Sequence, residues 1–81
     1  MTTTPTAAVP HIVAKLARLP LSDVTPAAEL RRDLGIDSLA HLELVVQLER
    51  LAGTRIDDEQ AFALTTVQDC LDLVAGGSGA S

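Results

Sequence analysis

Residues 33–53 read DLGIDSLAHLELVVQLERLAG, and this stretch decides the fold. Asp37 has the side chain of a good N-cap, so we predict a helix that begins at Ser38. The helix runs to about Leu51, and Gly53 supplies the left-handed residue that ends it. The remaining elements are interpreted as packing around this central helix.

The predicted central helix carries two apolar stripes. At about 100° per residue, the larger set shares one side, which we assign to the core: Leu44, Val45, Leu48, Leu51 and Ala52. Leu39 and Val46 lie almost opposite, and Leu42 lies at the border. Either the connecting segment 19–34 covers this second stripe, or the stripe is an exposed partner surface rimmed by charge. The pattern alone leaves both alternatives open.

Two further amphipathic helices flank the central one. The first, with Pro10 in its first turn and Pro20 beyond its end, has the helical spacing i, i+3, i+4, i+7. Its apolar residues are Val9, Ile12, Val13 and Leu16. The last helix has the same spacing at Val67, Cys70, Leu71 and Val74. Thr65 or Thr66 is its N-cap, and Thr65 with Gln68 would form a capping box.

A long connection and a short helix complete the prediction. Residues 19–34 show no regular pattern, although Leu30 and Leu34 would anchor the segment to the core. Connections of this length are often functional. A short turn of helix is expected around Asp57–Ala63. We therefore predict an all-α fold, a four-helix bundle with three main helices, one short helix and a long first loop.

Composition limits the possible functions. The chain has 81 residues, a net charge of −5, one aromatic residue (Phe62) and one cysteine (Cys70). These values argue against nucleic acid or a membrane as partner, and against a disulfide framework or a metal site. We expect a cytoplasmic monomer with an ordered domain at 7–75, between a flexible N-terminus at 1–6 and a flexible Gly/Ser tail at 76–81. So small a core favours a binding or carrying module over an enzyme.

Ser38 stands out because it lies at the mouth of a helix, after a long loop that ends in glycine. A serine in this position most often only takes part in capping. The free N–H groups and the positive end of the helix dipole would also favour a phosphate placed there. The residues alone fit both interpretations.

A hydrolytic triad of Asp37, Ser38 and His41 is the catalytic alternative, and we disfavour it. A triad needs an oxyanion hole and a substrate cleft, which so small a domain can hardly provide. His41 is expected to pack, partly buried, on the core side of the helix, with a contact to the phosphate as the alternative. Arg31 and Arg32 are interpreted as a solvated loop patch, with contact to an acidic residue of a partner as the alternative.

The heptapeptide DLGIDSL at 33–39, followed by LELV at 42–45, resembles the Asp-Leu-Gly-x-Asp-Ser-Leu signature of acyl carrier proteins. The resemblance runs without a gap over about residues 24–74. Its downstream matches are Ile56, Asp58, Glu59, Thr65, Thr66 and Val67.

This resemblance implies a carrier domain that is not an enzyme. In that family the serine that matches Ser38 carries 4′-phosphopantetheine, which a phosphopantetheinyl transferase takes from coenzyme A. The thiol of this arm holds acyl intermediates as thioesters and presents them to a ketosynthase, an acyltransferase or an acyl ligase. A long flexible arm raises the effective concentration of the acyl group at each partner. The positions that match the family's partner-binding face are Asp37, Leu39, Glu43, Val46 and Glu49.

Two departures from the family pattern bear on the pathway. Position 40 is alanine where many relatives have an acid, and positions 41, 47 and 50 are His, Gln and Arg. The central helix is therefore less acidic than in a typical fatty-acid carrier. Asp57 stands where proline is common. With five arginines against one lysine, these features favour polyketide or related natural-product biosynthesis. The alternatives are a carrier for fatty-acid synthesis, and an unmodified helical adaptor that uses only the outer face of the central helix.

Overall fold

The computed structural model describes residues 5–76, which form four α-helices and no β-strand. The helices are α1 (Pro5–Ala17), α2 (Ser38–Ala52), α3 (Asp58–Ala63) and α4 (Val67–Val74). The predicted all-α class is confirmed. The flexible ends predicted at 1–6 and 76–81 fall largely on residues 1–4 and 77–81, outside the described residues, while Thr6 belongs to α1.

The first helix begins one turn earlier than its apolar pattern indicated. Because α1 begins at Pro5, Pro10 lies inside the helix, and its predicted place in the first turn was wrong. Proline lacks the N–H of an intrahelical hydrogen bond, which weakens a helix interior. Here Val9 and Val13, on either side of Pro10, are fully buried. Tertiary packing therefore holds the helix across its proline.

The helix α1 ends three residues before Pro20. The helix ends at Ala17, and Arg18 takes a left-handed conformation with φ of 59°. The N–H of Leu19 then donates back to the carbonyl of Ala14 at 3.0 Å. This is the hydrogen bond of a Schellman motif, in which a left-handed residue closes the last turn.

The boundaries of α2 confirm the local signals. The Asp37 carboxylate accepts from the N–H of Ala40 at 2.9 Å, and Gly53 ends the helix with φ of 70°. On the predicted core side Leu44, Val45 and Leu48 are buried. The residues at the end of that stripe, Leu51 and Ala52, are half-buried.

The cap of α4 is Thr66, and the predicted capping box between Thr65 and Gln68 was wrong. The hydroxyl of Thr66 accepts from the N–H of Asp69 at 3.2 Å, and the carboxylate of Asp69 accepts from the N–H of Thr66 at 3.1 Å. The same carboxylate oxygen also accepts from the N–H of Thr65 at 2.9 Å. A charged carboxylate near a helix N-terminus binds two N–H groups better than a neutral amide would. The side chain of Gln68 instead donates to Asp72.

Removal of this cap should destabilise the fold measurably. We expect Thr66→Ala to lower the free energy of unfolding by about 0.5–2 kcal/mol, because it leaves an N–H of the first turn without its acceptor. Thr65→Ala is the matched control and should have a smaller effect, since its hydroxyl donates only to the Ala63 carbonyl at 3.3 Å. Urea denaturation of both variants measures the difference. A larger loss in Thr65→Ala would contradict the assignment.

The long connection is tied to the start of α4. The N–H of Leu30 donates to the carbonyl of Thr65 at 2.8 Å, and the N–H of Val67 donates to the carbonyl of Ala28 at 3.1 Å. Leu30 and Leu34 are buried in the core, as predicted. The segment also contains one 3₁₀ turn, at Leu21–Asp23. Residues 26–30 of the segment are therefore held against the N-terminus of α4.

The core contains the single cysteine. Cys70 is fully buried in the apolar face of α4 with its thiol free, which confirms its predicted place in the packed stripe. Burial raises the pKa of this thiol to about 12, and the negative charge of Asp69 acts in the same direction. Because the thiolate is the reactive form, Cys70 acts here as a packing group.

Candidate functional site

Ser38 is the first residue of α2, and its side chain is exposed. Asp37, the residue before it, caps the helix, so the serine hydroxyl is not needed for capping. The backbone N–H groups of a first helical turn have no intrahelical acceptor, and the helix dipole makes this end positive. The position is therefore electrostatically suited to an anion on the serine oxygen.

Arg31 lies beside this serine. Its side chain is exposed, as predicted, and its Nη2 also donates to the Ser38 Oγ at 3.3 Å, a contact that was not predicted. The turn that carries Arg31 is closed locally. The Asp33 carboxylate accepts from the N–H of Glu29 at 2.8 Å, and the N–H of Ile36 donates to the carbonyl of Leu30 at 2.9 Å. The sequence carried no signal for this contact, because it depends on how an irregular loop turns back over seven residues.

A cleft of about 660 Å³ opens next to the two residues, between α2, α3 and the connecting segment. The side chains that define it include Arg31, Ser38, His41, Leu42, Phe62 and Leu64. Its floor includes Leu64, which is buried, while Leu42 and Phe62 are largely exposed at its rim. Clefts of this volume are large enough to accept a small organic group.

His41 joins α2 to α3 at this cleft. Its Nε2 lies 2.9 Å from the carbonyl oxygen of Ala61, and a carbonyl can only accept, so Nε2 carries the proton. The half-buried imidazole confirms the predicted packing role. Its other nitrogen, Nδ1, is buried and has no hydrogen-bond partner among the described residues. Native structures rarely leave a buried polar atom without a hydrogen bond, so a donor is expected to pair with this nitrogen.

The catalytic triad considered above does not form. The carboxylate of Asp37 accepts from the N–H of Ala40, the Nε2 of His41 is engaged by Ala61, and the oxygen of Ser38 accepts from Arg31. None of these contacts orients a base toward the serine hydroxyl. Within residues 5–76 no group of three or more potential metal ligands is present.

The outer stripe of α2 is open to solvent. The exposed fraction of the side chain is 75% for Leu39, 63% for Leu42 and 48% for Val46. The alternative that segment 19–34 covers this stripe is therefore wrong. Phe62, which is 85% exposed, extends the apolar surface onto α3.

The acidic residues predicted at this face differ in their surroundings. Asp37 and Glu43 are exposed, whereas Glu49 is half-buried. The Oε2 of Glu49 accepts from the N–H of Ile56 at 2.8 Å, so this carboxylate braces the loop between α2 and α3. Glu43 is thus the acidic side chain on α2 that is most available to a partner.

Comparison with known proteins places these features in one class. Residues 8–74 match the family model described as "Phosphopantetheine attachment site". The acyl carrier protein of Acidothermus cellulolyticus is 39% identical over 68 residues, which cover 84% of this chain and 81% of that protein. The acyl carrier protein of Rubrobacter xylanophilus is 47% identical over 53 residues, or 65% of each chain.

A solved structure agrees with the sequence comparisons. The apo doublet acyl carrier protein from prodigiosin biosynthesis superposes with a TM-score of 0.72 at 30% identity. The match covers 89% of this chain but 35% of that longer chain. Matching fold, family model and relatives define a phosphopantetheine-dependent carrier domain. The chain belongs to the acyl carrier protein family, whose members are carriers and not catalysts. None of the described helices is long and apolar enough to cross a membrane.

Proposed function

We propose that Ser38 is the residue that carries 4′-phosphopantetheine and that the chain transports acyl groups as thioesters. The observation that carries this proposal is the exposed Oγ of Ser38 at the start of α2, within 3.3 Å of the Arg31 guanidinium. When bound, the prosthetic group supplies the thiol on which an acyl group is held. Ser38 lies inside the residues that match the family model.

The surroundings of Ser38 fit an attached phosphate. The first turn of α2 directs backbone N–H groups and a positive dipole end toward it. The Arg31 guanidinium adds a full positive charge at 3.3 Å from the Ser38 Oγ. Because Asp37 caps the helix, the hydroxyl of Ser38 can be esterified without loss of the cap.

Attachment requires a displacement at phosphorus. The Oγ of Ser38 forms the new P–O bond and gives its proton to a base of the transferase. The pyrophosphate bond of coenzyme A breaks, and adenosine bisphosphate leaves with the electron pair. This chain's own contribution is to present the oxygen on a rigid helix end, beside donors that match the developing negative charge.

Intact mass tests the proposal. The protein is incubated with coenzyme A, magnesium and a broad-specificity phosphopantetheinyl transferase, beside a known carrier protein in the same tube. We expect a gain of one phosphopantetheine. With an acyl-coenzyme A donor, the gain should include the acyl group, and hydroxylamine should remove that group as expected for a thioester. A folded protein that gains nothing while the known carrier is modified would favour the unmodified adaptor.

The outer stripe of α2 is proposed as the surface on which the transferase and acyl-handling enzymes dock. Leu39, Glu43 and Val46 supply exposed apolar contacts with a charge among them, next to Asp37 and Ser38. An exposed apolar patch rimmed by charge suits transient recognition. Glu49 would contribute less, because one of its oxygens is held by Ile56.

Truncation of this stripe should weaken modification without unfolding the protein. We expect Leu39→Ala to lower kcat/KM of the transferase by about tenfold, as for loss of one interface anchor worth about 1.4 kcal/mol. Leu21→Ala, which removes an exposed leucine from the 3₁₀ turn, is the matched control. Steady-state modification rates measure both. Equal rates for the two variants would remove Leu39 from the docking surface.

We propose polyketide or related natural-product biosynthesis as the pathway, with fatty-acid synthesis as the alternative. Two observations support the choice: α2 has few acidic residues and exposes Arg50, and one solved relative comes from prodigiosin biosynthesis. A cytoplasmic location and a monomeric state stay predictions.

The pathway proposal predicts that an enzyme of fatty-acid synthesis loads this protein slowly. We expect the malonyltransferase of a fatty-acid synthase to load the phosphopantetheinylated protein several-fold more slowly than its own carrier. Arg50→Glu should raise that rate, because it restores a negative charge opposite a basic partner. Arg18→Glu, at the exposed residue just after α1, is the charge-matched control. Loading of the unaltered protein at the rate of the fatty-acid carrier would support the alternative.

A further inference from the structure

We propose that Arg31 is a positioning residue for the attachment reaction, and that it holds the Oγ of Ser38 in the orientation from which this oxygen attacks phosphorus. The inference deepens the proposed attachment at Ser38 and rests on it. It gives a residue outside the signature heptapeptide a direct part in how fast the chain is modified.

The side chain of Ser38 needs a positioning group because nothing else in its surroundings fixes its rotamer. It is exposed, and the helix cap that a serine could supply comes instead from Asp37, whose carboxylate accepts from the N–H of Ala40. Among residues 5–76, the one hydrogen bond of the Ser38 Oγ comes from the Arg31 Nη2 at 3.3 Å. A reacting group held in one staggered orientation reacts faster than one that samples all three.

The turn that carries Arg31 is held in place by its backbone and its neighbours. The N–H of Gly35 donates to the Arg31 carbonyl at 3.2 Å, and the N–H of Leu34 donates to the Glu29 carbonyl at 3.1 Å. Leu30 and Leu34, which flank Arg31, are buried in the core. The base of the Arg31 side chain is therefore fixed, although the residue lies in an irregular segment.

This hydrogen bond leaves the serine hydroxyl able to react. A hydroxyl has one proton to donate and two lone pairs, whereas a guanidinium can only donate. Arg31 therefore occupies one lone pair, leaves the other for the bond to phosphorus, and does not compete for the hydroxyl proton. Attack forms the Oγ–P bond, gives that proton to a base of the transferase, and breaks the pyrophosphate P–O bond of coenzyme A. Adenosine bisphosphate leaves with the electron pair of that bond.

The contact is strongest while the new bond forms. The Oγ becomes more negative as it loses its proton, and a hydrogen bond from a cation to such an oxygen is charge-assisted. The neutral hydroxyl before the reaction and the ester oxygen after it are weaker acceptors. An interaction that is stronger in the transition state than in the ground state raises the rate of the chemical step.

Single-turnover modification separates positioning from docking. With coenzyme A saturating and the transferase in excess, the maximal rate reports the chemical step, and the half-saturating transferase concentration reports binding. We expect Arg31→Gln to lower the maximal rate by about tenfold, as for loss of one hydrogen bond to a charged group, with half-saturation unchanged. Arg31→Lys should recover part of the rate, because an ammonium keeps the charge but lacks the planar fork.

Arg32→Gln is the matched control for these rates. Arg32 has the same charge and is exposed one residue away, but it makes no hydrogen bond to Ser38 within the described residues. The control should therefore be modified at the rate of the unaltered protein. Circular dichroism of all three variants establishes that they are folded.

Nuclear magnetic resonance of the unmodified protein measures the orientation of Ser38 directly. The three-bond couplings between its α and β protons should have the values of a single staggered rotamer in the unaltered protein and in Arg32→Gln. In Arg31→Gln they should move to the intermediate values of averaged rotamers. This measurement needs no transferase, so it is independent of whether Ser38 is the attachment site, which the intact mass of the unaltered protein decides separately.

Three results would overturn the inference. Equal rates for Arg31→Gln and Arg32→Gln would show that the hydrogen bond to Ser38 does not matter. A change confined to the half-saturating concentration would make Arg31 a docking residue. Couplings of Ser38 that are the same in Arg31→Gln as in the unaltered protein would show that another feature sets its orientation.

Discussion

The Ser38→Ala variant should gain no mass under conditions in which the unaltered protein is modified completely. The reason is chemical: the variant lacks the only side-chain oxygen that α2 presents at its N-terminus. The fold should survive, since Asp37 supplies the cap and Ser38 is exposed. We expect the free energy of unfolding to change by no more than about 0.5 kcal/mol, as for most surface substitutions.

Ser22→Ala is the matched control for this result. Ser22 is also an exposed serine, but it lies in the short 3₁₀ turn of the connecting segment and not at the N-terminus of an α-helix. The control should be modified like the unaltered protein. Circular dichroism and urea denaturation of both variants establish that they are folded. A modified Ser38→Ala protein would show that another hydroxyl is the attachment point.

Leu44→Ala should cost about 2–5 kcal/mol of unfolding free energy, the range for truncation of a buried leucine. Leu44 is fully buried in the centre of α2, within the cluster where α1, α2 and α4 meet. A core this small rarely supplies more than about 3–5 kcal/mol of net stability. The variant should therefore be partly or wholly unfolded at room temperature.

The same helix provides the control for this effect. Leu39→Ala makes an identical chemical change at a residue that is 75% exposed, so its stability should stay within about 0.5 kcal/mol of the unaltered protein. Urea denaturation followed by circular dichroism measures both. A Leu44→Ala variant as stable as Leu39→Ala would mean that the two faces of α2 are assigned the wrong way round.

The parts of the fold that could be predicted are those set by capping residues, which act within one turn of a helix. Asp37 and Gly53 define α2 from the sequence because each meets a backbone requirement at its own position. The cap of α4 was less predictable, since Thr65 and Thr66 can each begin a capping box. The choice depends on the carboxylate of Asp69, which binds the N–H groups of both threonines.

The candidate site was predictable in its serine and its outer stripe, but not in its surroundings. Whether the stripe of Leu39 and Val46 is covered depends on the path of the loop, which hydrogen bonds to Thr65 and Val67 direct toward α4. The hydrogen bond from Arg31, and the His41 nitrogen that has no partner within residues 5–76, also depend on tertiary structure. No periodicity reports such contacts, because they join an irregular loop to two helices.

Peptide mapping of the modified protein tests the central claim most directly. Trypsin releases residues 33–50 as one peptide, and Ser38 is the only hydroxyl-bearing residue in it. We predict that the mass of one phosphopantetheine appears on this peptide and on no other, which places the arm on Ser38 without any substitution. Modification found on a different peptide, with residues 33–50 at their unmodified mass, would contradict the account.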